Sequence, residues 1–230
     1  MAWLLGIETA THVCSVALSR EGKTLFLRES EDTNAHSRLL AGFIHDLFSE
    51  AGISAADLGA VVVSKGPGSY TGPRIGVSTA KGLCYGQNLP LIAVSTLHSM
   101  ALGAREKHPE AGLFCPMIDA RRMEVYSAIF NTSLETVMDT AALIVDEQTY
   151  APYLMESGIL FFGSGAAKCH EVITHPNARF DYGLQPSARY LSQIGWEKFL
   201  RKDFKDVAYF EPFYLKDFIA GKPRVKGLFD

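Results

Sequence analysis

The stretch KGPGSYTGPRIGVSTAKGL, residues 65–83, is the most informative passage in the chain. It follows the run Ala60 to Ser64, which reads as a buried strand. The strand feeds a loop holding Gly66, Gly68 and Gly72. A helix follows from Pro73 to about residue 86, proline being favoured at the first helical position. Two readings of the loop stay open. Free N–H groups and the helix dipole converge at such a place, so it can receive an anion. Equally, it can be a tight strand–helix turn in which glycine supplies backbone freedom. It is not a Walker A loop, because no Gly-Lys-Ser/Thr stands at the required spacing. The third glycine also comes one residue late for a dinucleotide fingerprint, and no acid follows about twenty residues on.

Working outward from the loop, the first half reads βββαβαβα. Trp3 to Ile7, Val13 to Leu18 and Thr24 to Arg28 are the opening strands, with a turn at Glu21-Gly22-Lys23. Asn34 is a candidate N-cap for a helix over residues 35–51, stopped by Gly52. Leu91 to Val94 is a strand and Thr96 to Lys107 a helix. The second half opens like the first. LFCPMID (Leu113 to Asp119) is an apolar run ending in an acid, as WLLGIE is, and an alternating strand follows each at the same spacing. LETVMD, Ile159 to Phe162, a helix near Ala166 to Ile173 and another from about Ser187 to Leu200 complete it. The repetition points to a duplicated α/β unit, with lobes at residues 1–104 and 105–230.

The bulk composition is that of a globular protein. The chain has 230 residues, 47% hydrophobic and 20% charged, enough to bury a sizeable core. A net charge of −3 argues against a tight grip on a phosphate backbone by this chain alone. Cys14, Cys84, Cys115 and Cys169 form no CxxC pair and read as buried, reduced residues. The first residues lack the pattern of a signal peptide, and no run approaches the ~20 apolar residues of a membrane helix. The expected location is the cytoplasm, without membrane contact.

Two helices carry a second message. In helix 35–51, Leu39, Leu40, Phe43, Ile44, Leu47, Phe48 and Ala51 cover roughly 180° of arc at about 100° per residue. One core contact needs a stripe of somewhat over ~100°. The excess fits either a second packing face or deep burial in one core. Helix 73–86 is rich in small residues (Gly76, Ser78, Thr79, Ala80, Gly82), although mid-helix glycine costs about 1 kcal/mol against alanine. That cost is tolerable where another backbone must come close. Leu39, Phe43, Leu47, Arg74, Ser78, Lys81 and Tyr85 are the candidate partner-facing residues.

Metal sites are poorly supported. His170 and His175 lie five residues apart, so on a helix their rings would diverge by ~140°. The other histidines show no i, i+4 pairing. Glu8 and Asp119 each end an apolar strand. They can face each other across a cleft and hold magnesium, or simply cap strand ends. With Gly163 and Gly165 of the GSGA segment, they are the candidate remains of a nucleotide cleft. No cofactor and no metal is expected.

Together, LLGIETATHVCSVAL, HSRLL, GPGSYTGPRIGVSTAKGL, VSTLHSMA, MIDARRMEVYSAIF, FFGSGA and EPFYLK resemble the TsaB family, once called YeaZ, in order and over almost the whole chain. The resemblance implies an actin-like (ASKHA, RNase H-like) fold of two related lobes. It implies a non-catalytic scaffold that binds the catalytic paralogue TsaD, with the small ATPase TsaE, for threonylcarbamoylation of adenosine 37 in tRNA. A homodimer in isolation and tRNA contact only through the complex belong to the same implication. In TsaD a His-x-x-x-His metal pair follows the strand matching Leu91 to Val94. Here Thr96 and Met100 stand at those positions, and neither can replace an imidazole. The ending reads YLK where the family commonly has YLR, so Lys216 offers a point charge instead of a fork-shaped donor. The alternative is an autonomous enzyme of the same fold, a small-molecule kinase or an M22-type metallopeptidase. An RNase H-like nuclease would need three or four clustered carboxylates, and only two are in view.

Overall fold

A computed structural model describes residues 2–32 and 36–216. The expected N-cap at Asn34 and helix start at Ala35 lie outside the described residues. The chain opens with β1 (Trp3–Glu8), β2 (Cys14–Arg20) and β3 (Lys23–Ser30), then α1 (His36–Ala51), a short 3-10 turn (Ala55–Asp57) and β4 (Leu58–Ser64). The first half closes with α2 (Thr71–Gln87), β5 (Leu91–Val94) and α3 (Thr96–Lys107). The second half runs through β6 (Leu113–Asp119), β7 (Glu124–Asn131), β8 (Thr136–Ile144), α4 (Ala151–Glu156), β9 (Ile159–Phe162), α5 (Ala166–Cys169), β10 (Ala178–Asp181) and α6 (Ala188–Leu200). Two expectations shift. α2 starts at Thr71, two residues before Pro73, and the helix expected over Ala166 to Ile173 is only α5.

The duplication is visible in the sheets. One has the order β3-β2-β1-β4-β5 and the other β8-β7-β6-β9-β10. In each, the first strand pairs antiparallel with the second and parallel with the fourth, and the fourth pairs parallel with the fifth. The central strands are covered on both faces, which is why they read as unbroken apolar runs rather than as alternating ones.

Each face has its own helices. On the first sheet, Leu5, Ile7, Val61 and Val63 pack against Leu40, Ile44 and Leu47 of α1 and Val77 and Ala80 of α2. The opposite face, with Leu4, Ala60 and Val62, packs against Leu191 and Ile194 of α6. On the second sheet, Phe114, Ile118 and Phe162 meet Leu97, Met100 and Ala104 of α3. Its other face, with Cys115, Met117 and Phe161, meets Tyr150 and Leu154. The halves thus exchange their last helices: α3 covers the second sheet and α6 the first. Ala104, where the sequence places the boundary, falls inside α3. All four cysteines are buried and free.

The exchange depends on close approach. A Cβ added at Gly195 of α6 would stand 2.7 Å from Val62 Cγ2. Gly195→Val should therefore cost about 1–3 kcal/mol through overpacking. Gly42 on the outer side of α1 has nothing within 4 Å of its added Cβ. Gly42→Ala should stabilise by about 0.5–1 kcal/mol through helix propensity. Urea unfolding of both variants checks the opposite signs.

Candidate functional site

The glycine loop is closed on its own chain. Gly66 has φ +99°, the left-handed conformation that glycine adopts without strain. Gly68 and Gly72 are not in that region. They are needed because the loop lies against the backbone leaving β1. A Cβ on Gly68 would stand 2.1 Å from the Ala10 carbonyl oxygen, and one on Gly72 2.0 Å from that of Thr9. On α2 itself, a Cβ at Gly76 would reach 2.3 Å from Thr9 Oγ1. Hydrogen bonds fix the contact. Ser69 N donates to Ala10 O at 2.7 Å, and Thr9 Oγ1 donates to Gly72 O at 2.8 Å. Gly72 N donates to Ser69 Oγ at 3.1 Å. Of the two readings open in the sequence, the geometry matches the tight turn.

Glu8 lies beneath this contact, fully buried. Its Oε1 accepts from Ala10 N and from Ser64 Oγ, both at 2.7 Å. Oε2 has no partner among the described residues. Burial penalises the ionised form, and these hydrogen bonds oppose it only in part. The carboxyl is pushed up from an ordinary 4.5 to about 7. Asp119, its counterpart at the end of β6, is exposed and paired with Lys168. Both acids close the same turn, since Arg121 N donates to Asp119 Oδ1 at 2.9 Å as Ala10 N does to Glu8. They cap strand ends, one sealed and one at the surface beside Lys168. Among the described residues no three His, Cys, Asp or Glu side chains cluster as a metal site.

The GSGA segment repeats the pattern in the second half. Gly163 has φ +93°, and a Cβ there would stand 2.6 Å from Met117 O. Gly165 N donates to that same oxygen at 2.9 Å. These glycines let the loop after β9 pack on β6.

The partner-facing candidates divide into three groups. Leu47 is fully buried and Leu39 and Phe43 are half-buried, all packed in the same core as the first sheet. Leu47 has no surface to offer, and the wide apolar arc of α1 is largely spent on the chain's own core. Ser78 and Tyr85 are exposed, Tyr85 to 87%, beside Gly82 and Gly86, whose added Cβ atoms meet nothing within 4 Å. This flat, small-residue face of α2 is open. Arg74 and Lys81 are engaged by a feature the sequence reading missed, a strap over residues 201–216.

The strap crosses the edge of the first sheet. Lys205 N donates to Leu91 O at 2.8 Å, and Phe213 N to Lys65 O at 2.7 Å. Lys81 Nζ donates to Ala208 O at 3.0 Å and to Phe210 O at 3.1 Å. Arg74 Nε donates to Tyr214 Oη at 2.9 Å while its guanidinium lies 3.8 Å over the Tyr70 ring. Lys216 then pairs with Glu124 at the start of β7. The quoted EPFYLK was its one trace in the sequence. Lys81, Gly82, Tyr85 and Asp206 to Ala208 line an apolar groove between strap and α2.

Residues 30–220 match the family model described as TsaD: tRNA N6-adenosine threonylcarbamoyltransferase. The tRNA threonylcarbamoyladenosine biosynthesis protein TsaB of Escherichia coli (strain K12) is 32% identical over 225 residues, 95% of this chain and 96% of that protein. The structure of YeaZ from Pseudomonas aeruginosa aligns with a TM-score of 0.82 at 28% identity, over 94% of this chain and 100% of that one. Lmo2764 of Listeria monocytogenes, described as a candidate N-acetylmannosamine kinase, aligns at TM-score 0.50 and 11% identity, over 87% of this chain and 99% of that one. That last likeness concerns the fold alone. The chain has the α/β actin-like fold that the sequence resemblance implied. No described helix is long and apolar enough to cross a membrane.

Two outcomes follow from the sealed loop. Gly72→Ala should lower unfolding free energy by at least ~2 kcal/mol, because its Cβ would press on the Thr9 carbonyl; a variant that unfolds like the parent would show the loop is not packed. Glu8 keeps its proton in the folded state after the unfolded chain has lost it. The stability this gives is complete below about 4.5 and is lost as pH rises to about 7, a loss of about 3 kcal/mol. Glu8→Gln should lack that loss. Urea unfolding of both proteins across this pH range should show the variant gaining on the parent by about that amount.

Proposed function

We propose, since this chain belongs to the TsaB (YeaZ) family of tRNA threonylcarbamoyladenosine biosynthesis proteins, that it serves in the cytoplasm as the non-catalytic subunit holding a TsaD-type paralogue, with TsaE joining the pair. The observation that carries this reading is the closed glycine loop. A kinase of this fold would need phosphate-gripping loops on both lobes and a catalytic base. Here the contact with Thr9 and Ala10 uses the Ser69 amide and the Gly72 carbonyl, the Gly72 amide is taken by Ser69 Oγ, and no room is left for a side chain at residues 68 and 72. Thr96 and Met100, where the paralogue carries its histidine pair, are buried and in the core. The division into lobes at residues 1–104 and 105–230 is part of the same proposal.

The partner surface in this reading is the open face of α2, with Ser78, Gly82 and Tyr85, flanked by the half-exposed edges of Leu39 and Phe43. Two helices from each protein would meet in a four-helix packing that is apolar at its centre. A second copy of this chain would use the same face, so a homodimer competes with the heterodimer. Ser78→Glu places a charge on an exposed site, so the monomer should fold and melt as the parent does. In either dimer that charge is buried unpaired. Affinity for the catalytic paralogue should fall at least ~100-fold, with loss of self-association and of tRNA modification. Analytical ultracentrifugation and a reconstituted modification assay test this. Retained heterodimer with lost homodimer would separate the two interfaces, and retention of both would move the partner surface elsewhere.

A further inference from the structure

The turn between β6 and β7 is the exposed counterpart of the sealed turn after β1, and it carries two adjacent arginines. Arg121 and Arg122 are both exposed and both sit in the left-handed region, with φ +74° and +49°. For non-glycine residues such a conformation is uncommon, and two in succession cost about 1–3 kcal/mol each. The turn is closed by Glu124 N donating to Arg121 O at 3.0 Å and Ala120 N donating to Glu124 O at 3.0 Å. Four cationic side chains meet two carboxylates here: Lys168 takes Asp119 and Lys216 takes Glu124. Both carboxylates of the turn are therefore spent on lysines. Among the described residues, neither arginine has a carboxylate partner. The Lys216–Glu124 pair also ties the end of the strap to this turn.

We infer that this turn, with the adjoining end of the strap, is a contact surface for the phosphate backbone of RNA, so that the chain touches tRNA directly within its complex. The inference rests on the reading of this chain as a partner in tRNA modification. Guanidinium forks match phosphate geometry and keep their charge at any physiological pH. The net charge of −3 is consistent with contact through the assembled complex, where the paralogue adds surface, and not with tight binding by this chain alone.

The test uses the chain assembled with its catalytic paralogue and an unmodified ANN-decoding tRNA, titrated over a range of salt. The double variant R121Q/R122Q should melt like the parent and keep the paralogue. Its tRNA affinity should fall about tenfold, and the slope of log K against log salt should shrink by about 1–2, one unit or slightly less per lost phosphate contact. R121K/R122K keeps both charges and should restore most of the slope. It is also the reference should the glutamines disturb the turn: tRNA binding and slope unchanged from the parent in both double variants, or lost equally in both, overturn the inference. Loss of the paralogue with R121Q/R122Q would assign the arginines to an acidic protein surface, which also overturns it. If the unmutated chain does not assemble with the paralogue, the scaffold reading falls. The RNA contact, inferred only within that complex, is then overturned with it, whereas absence of an arginine effect in the assembled complex overturns the contact alone.

Discussion

Two pieces of backbone touch where the loop after β4 meets the turn after β1, and most of the first half is arranged around that meeting. Side chains normally keep backbones well apart. Only glycine at residues 68 and 72 lets the carbonyls of Ala10 and Thr9 come this close, and glycine at residue 76 makes room for the Thr9 hydroxyl. The contact sets where α2 begins, and so how its outer face is presented. It also encloses Glu8, whose carboxyl is pushed up to about 7 because ionising it would leave a buried charged oxygen without a partner. The same packing that aims the helix thus removes the acid from any cleft.

The second half repeats the plan with different consequences. The carboxylate-to-amide closure of the turn is kept at Asp119 and Arg121, and a glycine loop again follows the fourth strand. The turn itself stays at the surface and carries arginines instead of threonine and alanine. One ancestral arrangement has been used once for internal packing and once for exposed charge.

Much of this was legible in the chain because the signals are local. Unbroken apolar runs mark strands covered on both faces, and LFCPMID matching WLLGIE revealed the duplication that the two strand orders display. The small residues of α2 were read as room for a close approach; Gly76 uses that room for Thr9 of the same chain, and Gly82 is open. What failed to be legible is directional or remote. Periodicity gives the width of the apolar arc of α1 but not which residues within it point inward, so Leu47 was mistaken for surface. The glycines were credited with unusual backbone angles, whereas Gly68 and Gly72 serve by lacking a side chain. The strap has no repeat to detect. It is held by lysine and arginine donors from α2 to backbone carbonyls and a tyrosine hydroxyl over a hundred residues away in sequence.

The exchange of α3 and α6 has a bearing on how the chain comes to be folded at all. The first sheet is complete in strands once β5 has been made, yet the helix that covers its second face is α6, near the end of the chain. During synthesis at about 5–20 residues per second, that apolar face waits several seconds for its cover. Meanwhile α3 waits for the strands it packs on. Neither half can bury its surface without the other, so cooperative folding extends over the whole molecule.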